Sequence, residues 1–385
     1  MKIVLVIHGY PFNQMGGAGL LVQHLSRQLA LRGHDVHVLV PQSSPIKTAI
    51  YQQKKEWGHL HILHTQYLQW ADSWEQSRAG SLLKTWLMEL QPDICHIHHL
   101  SGLPLHFQRL LPSTTKLVIT LHDYAIPCAR GQLYHREHRQ CSSNHIDNCE
   151  RCLQPFRASR ASIIRRLGEA RMLLSSADVL LSPSLDLAKR MRALYPELHI
   201  SQISLPLFEK MENCANKDAD FIFVGSIIPP KGLDLFLKAL LRFPRNHPPS
   251  AKIIGFSAQY PTWRNYQQYC QKLAALSPSI HWLGEQSHAD CINHMRRVKC
   301  LVLPSLWPEN SPLTIREATA LGLPVICSSW GGAAELLIDR SFVLQEPSVH
   351  QLYQLLKRAR NQPQGIAQSW PTPEMYCEQL LAIYQ

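Results

Sequence analysis

Along the first two hundred residues, short apolar runs alternate with longer stretches in which apolar side chains return every three or four positions. The runs at 2–7, 35–40, 60–63, 94–97, 117–121 and 179–182 read as strands. The stretches at 17–32, 73–90, 157–175 and 185–194 read as helices. Strands separated by helix-length crossovers imply a parallel sheet. After residue 200 the pattern restarts, with strands at 220–225, 252–255, 281–284, 300–304 and 324–327, a helix at 231–243 and another between the last two strands. The polar stretch 209–217 has few large apolar residues and reads as a hinge. The expected fold is therefore α/β, two doubly wound domains facing one another across a cleft, at 1–205 and 206–370. A closing helical pattern at 373–384, within 371–385, could belong to either domain and is assigned to pack back on the first.

Length supports this division, because 385 residues exceed what one hydrophobic core usually serves. The composition, 45% hydrophobic and 17% charged, is that of a soluble globular protein rather than a disordered chain. Thirty-nine Lys and Arg against 28 Asp and Glu give a formal charge of +11, which favours phosphates, anionic lipid or nucleic acid without choosing among them. The first residues read as a strand and not a signal peptide, and nowhere do about 18 apolar residues run together. A cytoplasmic protein is expected, with the cytoplasmic face of a membrane as one setting. Arg157, Arg160, Arg165, Arg166 and Arg171 punctuate a basic helix that either lies on anionic lipid or presents a solvated face.

In doubly wound sheets, ligands bind beyond the carboxyl ends of the strands, at helix N-termini. That directs attention to 9–19, 122 onward, 225–232, 284–288 and 307–312. The segment SLWPENSPLTIREATALGLP at 305–324 has Ser311 as an N-cap and Pro312 at the first helical position. The N–H groups of Leu313 and Thr314, with the helix dipole, then form an anion site suited to a diphosphate. Glu309 sits just outside the helix and Glu317 lies on the side of Leu313. Carboxylates there cannot attract phosphate, so they either accept hydrogen bonds from sugar hydroxyls or are a helix-end charge and a surface Glu. Gly16 and Gly17, after the first strand, allow backbone to approach a phosphate or sugar, or simply make a tight turn. Lys231 follows the strand ending at Gly225 and offers an ammonium to a departing nucleotide, or is a solvated helix-start lysine. His122-Asp123 closes a strand, and His122 is a catalytic candidate or a structural histidine, one of 21.

Two glutamates with seven residues between them, together with Asn310-Ser311-Pro312-Leu313, Glu317-Ala318, Gly322-Leu323-Pro324-Val325, Gly331-Gly332 and Glu335, resemble the signature of retaining glycosyltransferase family 4, the group 1 glycosyl transferases. The resemblance implies two Rossmann-like domains in a GT-B arrangement. It further implies transfer of a sugar from a nucleoside diphosphate sugar to a hydroxyl of a saccharide or lipid-linked acceptor, with retained configuration, in cell-surface polysaccharide or related glycan assembly. Glu309 would contact the transferred sugar, Glu317 the nucleotide ribose, and the 310–313 backbone, including Asn310 and Ser311, the donor's sugar and phosphate. His122 would position the reacting sugar, and no general base is required because the departing phosphate oxygen can take the acceptor's proton. No catalytic cofactor is expected. The chain departs from the family at Ser226, where relatives often have an arginine on the diphosphate, and at Leu205-Pro206-Leu207, where they often carry Asn-Gly. Base recognition is expected from the loops after Gly255 and Gly284.

Cysteines fall into two sorts. Cys95, Cys300 and Cys327 lie in apolar strands as small hydrophobes. Cys128, Cys141, Cys149 and Cys152 are separated by twelve, seven and two residues, and the final Cys-x-x-Cys is the bite of structural zinc sites. His135, His138 or His145 could replace a thiol. Free thiols in a loop are the other reading, the family does not need such a cluster, and no catalytic role is assigned to the metal. Sugar-nucleotide epimerases and phosphorylases share the paired-domain architecture, but the Glu-x7-Glu segment argues against both. A zinc-containing nucleic-acid binder would use the +11 charge, yet no aromatic-basic stacking run accompanies it. No nucleic-acid partner is expected.

Overall fold

The computed structural model describes residues 1–9, 16–44, 48–65, 78–135, 140–141, 145–209, 211–212, 216–257, 263, 265–361 and 365–385. His138, the opening of the helix read at 73–90, parts of the hinge at 209–217 and much of the loops at 9–19 and after Gly255 lie outside them. The chain divides into two compact units. The first gathers Met1–Glu137, Cys141–Phe208 and Pro371–Gln385, and Glu209–Trp370 belongs to the second.

The first unit is built on strands β1 (Lys2–Val6), β2 (Asp35–Ser43), β3 (Ala49–Lys55), β4 (Gly58–Thr65), β5 (Ile94–Ile97), β6 (Lys116–Thr120), β7 (Val179–Ser182) and β8 (Ile200–Gln202). They form one sheet in the order β3-β4-β2-β1-β5-β6-β7-β8. Every pairing is parallel except the β3–β4 hairpin. The central strands are apolar on both faces because helices cover both sides. Around them run α1 (Gly17–Leu31), α2 (Arg78–Leu90), α3 (Ile146–Leu153), α4 (Arg160–Ser175) and α5 (Leu185–Leu194). The hairpin strand β3, AIYQQKK, is largely exposed, and its lysines guard a sheet edge against further pairing. That polar pattern is why periodicity does not reveal it as a strand.

The second unit carries β9 (Ala219–Val224), β10 (Ala251–Ile254), β11 (Ile280–Gly284), β12 (Val298–Leu303), β13 (Val325–Ser328) and β14 (Val343–Leu344). They form an all-parallel sheet in the order β11-β10-β9-β12-β13-β14. Its helices are α6 (Leu233–Leu240), α7 (Tyr266–Ala274), α8 (His288–Arg296), α9 (Leu313–Ala320) and α10 (Val349–Asn361). The core holds Phe221, Phe223, Phe236, Leu301 and Ile326, all fully buried.

The last helix, α11 (Pro373–Tyr384), starts at a Thr372 cap and seats Tyr376, Cys377, Leu380 and Tyr384 in the core of the first unit. Lys116 Nζ donates to the Ile383 carbonyl at 2.7 Å, and Leu207 N–H donates to the Pro371 carbonyl at 2.9 Å. The Leu205-Pro206-Leu207 stretch thus anchors the returning chain.

Two helices begin later than their periodicity suggests. The pattern at 157–175 becomes helical only at Arg160, where the Ser159 hydroxyl accepts the Ser162 N–H, and Arg157 closes the preceding turn at φ +53°. At 231–243, a 3-10 turn Pro229–Lys231 is closed by Gly232 at φ +69° before α6 begins. A Cβ on Gly232 would run into the Pro304 carbonyl, so this corner tolerates only glycine.

Candidate active site

In the second unit the chain leaves β12 and enters the segment singled out for donor binding. Glu309 is 4% exposed and Glu317 2%, so neither is the solvated charge that the plainer reading allowed. Buried carboxylates need donors, and here the donors are specific. Lys231 Nζ, Ser305 Oγ and Trp307 Nε1 all donate to Glu309 Oε1, at 2.5, 2.6 and 2.8 Å. Lys231 also stands 5.4 Å from the centre of the Trp307 ring. The lysine expected as a free ammonium for phosphate is therefore paired with the very carboxylate expected to meet the sugar.

The backbone of Glu309 is held as firmly. It forms an isolated parallel bridge with Gly331, and Gly332 N–H donates to its carbonyl at 2.5 Å. Gly331 sits at φ +86°, and a Cβ there would overlap the main chain of Pro308 and Glu309. The Gly331-Gly332 pair thus clamps Glu309 in place.

The helix start differs from expectation by one residue. Ile315 and Arg316 N–H groups both point to the Pro312 carbonyl, at 3.1 and 3.4 Å, which makes Pro312 the cap and Leu313 the first helical residue. Ser311 is not the cap, and no side chain caps this helix. Proline serves because its carbonyl accepts the first helical bonds while its extended ψ of 126° keeps it outside the helix. The N–H groups of Leu313 and Thr314 still head the helix, and Asn310 is buried just before it. One turn in, Glu317 Oε1 meets His288 Nε2 at 2.6 Å. That hydrogen bond opposes burial and, aided by the charges of Glu317 and Glu209, raises the His288 pKa above its ordinary value. His288 is the first residue of α8, after the Ser287 cap beyond β11.

Ser226 is half-buried beside Gly225, after β9. A Cβ on Gly255, after β10, would strike the Gly225 carbonyl, so the two strand ends pack backbone to backbone.

At the carboxyl ends of the first unit's strands the chemistry is different. Gly16 caps α1 with its backbone alone and Gly17 opens the helix, and a Cβ on Gly16 would meet only open space. His122 follows β6, its Nε2 at 3.0 Å from His98 Nδ1, with the rings stacked 5.3 Å apart. His98 packs on His96, whose nitrogens reach Tyr384 Oη at 2.6 Å and Thr120 Oγ1 at 2.8 Å. Burial pushes His96 down to about 3 and His98 well below its ordinary pKa, so both are neutral. Asp123 pairs with His99 at 2.9 Å and accepts the Ala125 N–H at 2.8 Å. Burial raises its pKa, but the His99 contact and that N–H outweigh it and hold the carboxyl low.

Further along the same loop, Cys128, Cys141, Cys149 and Cys152 line one cavity, together with His135. His145 does not line it and stands 3.7 Å from Asp147 on the surface. The basic helix is not uniformly solvated either. Arg166 turns inward and donates to the Ala125 carbonyl at 2.5 Å, while Arg160 pairs with Asp147 and Glu150, and Arg171 with Glu197. Among the described residues no helix is long and apolar enough to cross a membrane.

Two largely parallel sheets, with buried carboxylates and a lysine gathered where β9 and β12 of the second sheet end, are the build of a sugar-transferring enzyme of the GT-B fold. Family models agree on both units: Glycosyltransferase Family 4 matches residues 15–204 and Glycosyl transferases group 1 matches residues 208–369. The chain belongs to glycosyltransferase family 4 and is a glycosyltransferase. It is similar to a glycogen synthase of Mycobacterium tuberculosis, 23% identical over 351 residues, covering 88% of this chain and 80% of that enzyme. Among solved structures it is similar in fold to the sucrose-phosphate synthase of Thermosynechococcus elongatus, at a TM-score of 0.69 and 16% identity, covering 100% and 98% of the two chains. The Anabaena protein HepE in complex with UDP and glucose matches with a TM-score of 0.69 and 16% identity, over 100% and 99%.

Proposed function

We propose that this glycosyltransferase moves a sugar from a nucleoside diphosphate donor to a hydroxyl acceptor with retained configuration, in assembly of a polysaccharide or related glycan. The observation that carries the reading is the buried Glu309, fixed by the Gly331-Gly332 turn and paired to Lys231 near the start of α9, which no side chain caps. The three protein donors fall on Oε1, so a sugar hydroxyl would bond to Oε2. On donor binding, Lys231 would turn toward the diphosphate, and the Leu313 and Thr314 N–H groups would take its remaining charge. Glu317, oriented by His288, would accept from the ribose hydroxyls.

In the reaction, the bond between the sugar carbon and the phosphate oxygen breaks as the acceptor oxygen bonds to that carbon. The acceptor's proton goes to the departing phosphate oxygen. His122, held by the neutral His98, orients the sugar and takes no proton. UDP and glucose, bound in the Anabaena structure, name the first donor to try. A saccharide or lipid-linked acceptor belongs to the same proposal. So does peripheral contact with an anionic membrane at α4, where Ile164, Arg165 and Met172 are exposed.

The test is a panel of UDP-, GDP- and ADP-sugars, scored by thermal shift, released nucleotide and glycosylated product. A matching donor should raise Tm. Glu309→Ala should remove transfer by at least about 10²-fold with the fold intact by circular dichroism. Unchanged transfer in that variant would sink the assignment, and an anomerically inverted product would overturn the retaining reading.

A further inference from the structure

In the long loop that follows His122 and Asp123, Tyr124, Ile126, Leu133 and Tyr134 are buried, and among the described residues the next buried apolar side chain is Leu153. Its helix α3 is two turns long and buries a single residue, Leu153. Helices of that length are marginal unless something besides local bonding fixes them. Turns order the described backbone around the thiols. Cys128 N–H donates to the Tyr124 carbonyl at 2.8 Å, Gly131 N–H to the Cys128 carbonyl at 2.8 Å, and Cys141 N–H to the Leu133 carbonyl at 2.7 Å.

These turns deliver four thiols to one place. Cys149 and Cys152, three apart, share a face of α3, and they line a cavity of about 30 Å³ with Cys128 and Cys141. The Cys149 thiol lies within electrostatic reach of the other three, and Asn148 Nδ2 approaches Cys141 Sγ at 3.2 Å. None of the four is in a disulfide. Cys95, Cys270, Cys300, Cys327 and Cys377, by contrast, are buried singly as core residues.

We infer that Cys128, Cys141, Cys149 and Cys152 bind one zinc ion as a four-thiolate structural site, which staples residues 121–153 and thereby sets the position of His122 and Asp123. A set of four soft sulfur donors suits tetrahedral zinc, and a closed set leaves no position open for catalysis. Among the described residues no group of three or more His, Cys, Asp or Glu side chains stands in an arrangement that holds an ion as the chain lies, so the inferred site requires the sulfurs to close inward across the cavity they line. Four thiols give up four protons to solvent as the ion enters, and the centre then carries a net double negative charge. Arg166 from α4 lines the same cavity and is buried, which places a guanidinium against that charge. Its bond to the Ala125 carbonyl ties the metal's surroundings to the backbone two residues after Asp123. His135 lines the cavity as well, and the proposal leaves it outside the ligand set.

The test needs no sugar nucleotide, so its failure is distinct from a failure of the proposed transfer. The full chain, purified without a metal-affinity step, should hold one equivalent of zinc by mass spectrometry. Cys149→Ser and Cys152→Ser should lose it, while Cys291→Ser and Glu309→Ala keep it. Because the serine variants could fail to fold, the wild-type protein is also stripped with a chelator under reducing conditions and refilled with Co²⁺. The refilled protein should show the intense visible bands of tetrahedral cobalt and a sulfur-to-cobalt charge-transfer band, both abolished by added zinc. Hydrogen exchange across residues 121–153 should speed up on stripping, with the second unit unchanged, and return on refilling. Four freely titrating thiols with no zinc and no cobalt spectrum would overturn the inference. So would bound iron with sulfide, an octahedral cobalt spectrum, or exchange in 121–153 that is blind to the metal.

Discussion

The two sheets end in opposite kinds of chemistry. Beyond the second unit's strands, charges are paired: Lys231 with Glu309, and His288 with Glu317. Beyond the first unit's strands, histidines are stacked and kept neutral by burial, with Asp123 the carboxylate among them. Paired charges can be exchanged for a charged ligand without leaving a buried ion bare, which suits a diphosphate. Neutral imidazoles and a fixed carboxylate offer hydrogen bonds with little net field, which suits hydroxyls. The same strand-end architecture thus presents two surfaces that discriminate by charge.

Breaking the charged pair should have the larger effect. Lys231→Met is expected to cut kcat/KM by about 10²-fold. In the Glu309→Ala background the same change should cost far less, because the two side chains act as one unit. Full additivity in that cycle would separate them. On the histidine side, His98→Leu should lower kcat about tenfold through misplacement of His122, leaving donor KM unchanged. A rise in KM with kcat intact would make His98 merely structural.

The smallest effects are in the pH response, and they run in opposite directions. His96 and His98 have folded pKa values below their unfolded one, so their contribution is complete above about pH 6.5 and falls as the solution is acidified, by roughly 1.4 kcal/mol per pH unit per histidine. His288 is raised, so its contribution is complete below about 6.5 and lost as pH climbs through its folded pKa. Histidine proton shifts followed by NMR from pH 4 to 9, with Tm read in parallel, would distinguish the two. A single common titration would remove the contrast.

Much of this was legible from the chain, for reasons that differ by element. The buried parallel strands are apolar on both faces, and 94–97 and 179–182 appear with those bounds in the structure. The two glutamates stand out because seven intervening residues and a proline mark a helix start. Lys231 stands out too, as a lysine after a strand, but its pairing with Glu309 does not, nor does His288 as the partner of Glu317, since these contacts reach across 78 and 29 residues. A sequence shows that a loop after a strand matters, and here 284–288 was such a loop, but which of its side chains turns toward Glu317 is decided by packing. Ser311 reads as the cap because capping propensity is local, whereas in the fold Pro312 takes that position through its carbonyl. The inward turn of Arg166 was hidden for the same reason, as one arginine in a run of five.

The last helix has a consequence for how the protein is made. Unit one is interrupted by residues Glu209–Trp370 of unit two, and Tyr376, Cys377, Leu380 and Tyr384 complete its core. A ribosome delivers residues 1–208 first, yet that unit stays open on one flank until α11 emerges. Residues 209–370 are continuous and can fold as soon as they are synthesised, so the later unit finishes before the earlier one. Until then an apolar seat beside α1 and β1 remains exposed to chaperones, and His96 lacks the tyrosine hydroxyl that anchors its ring.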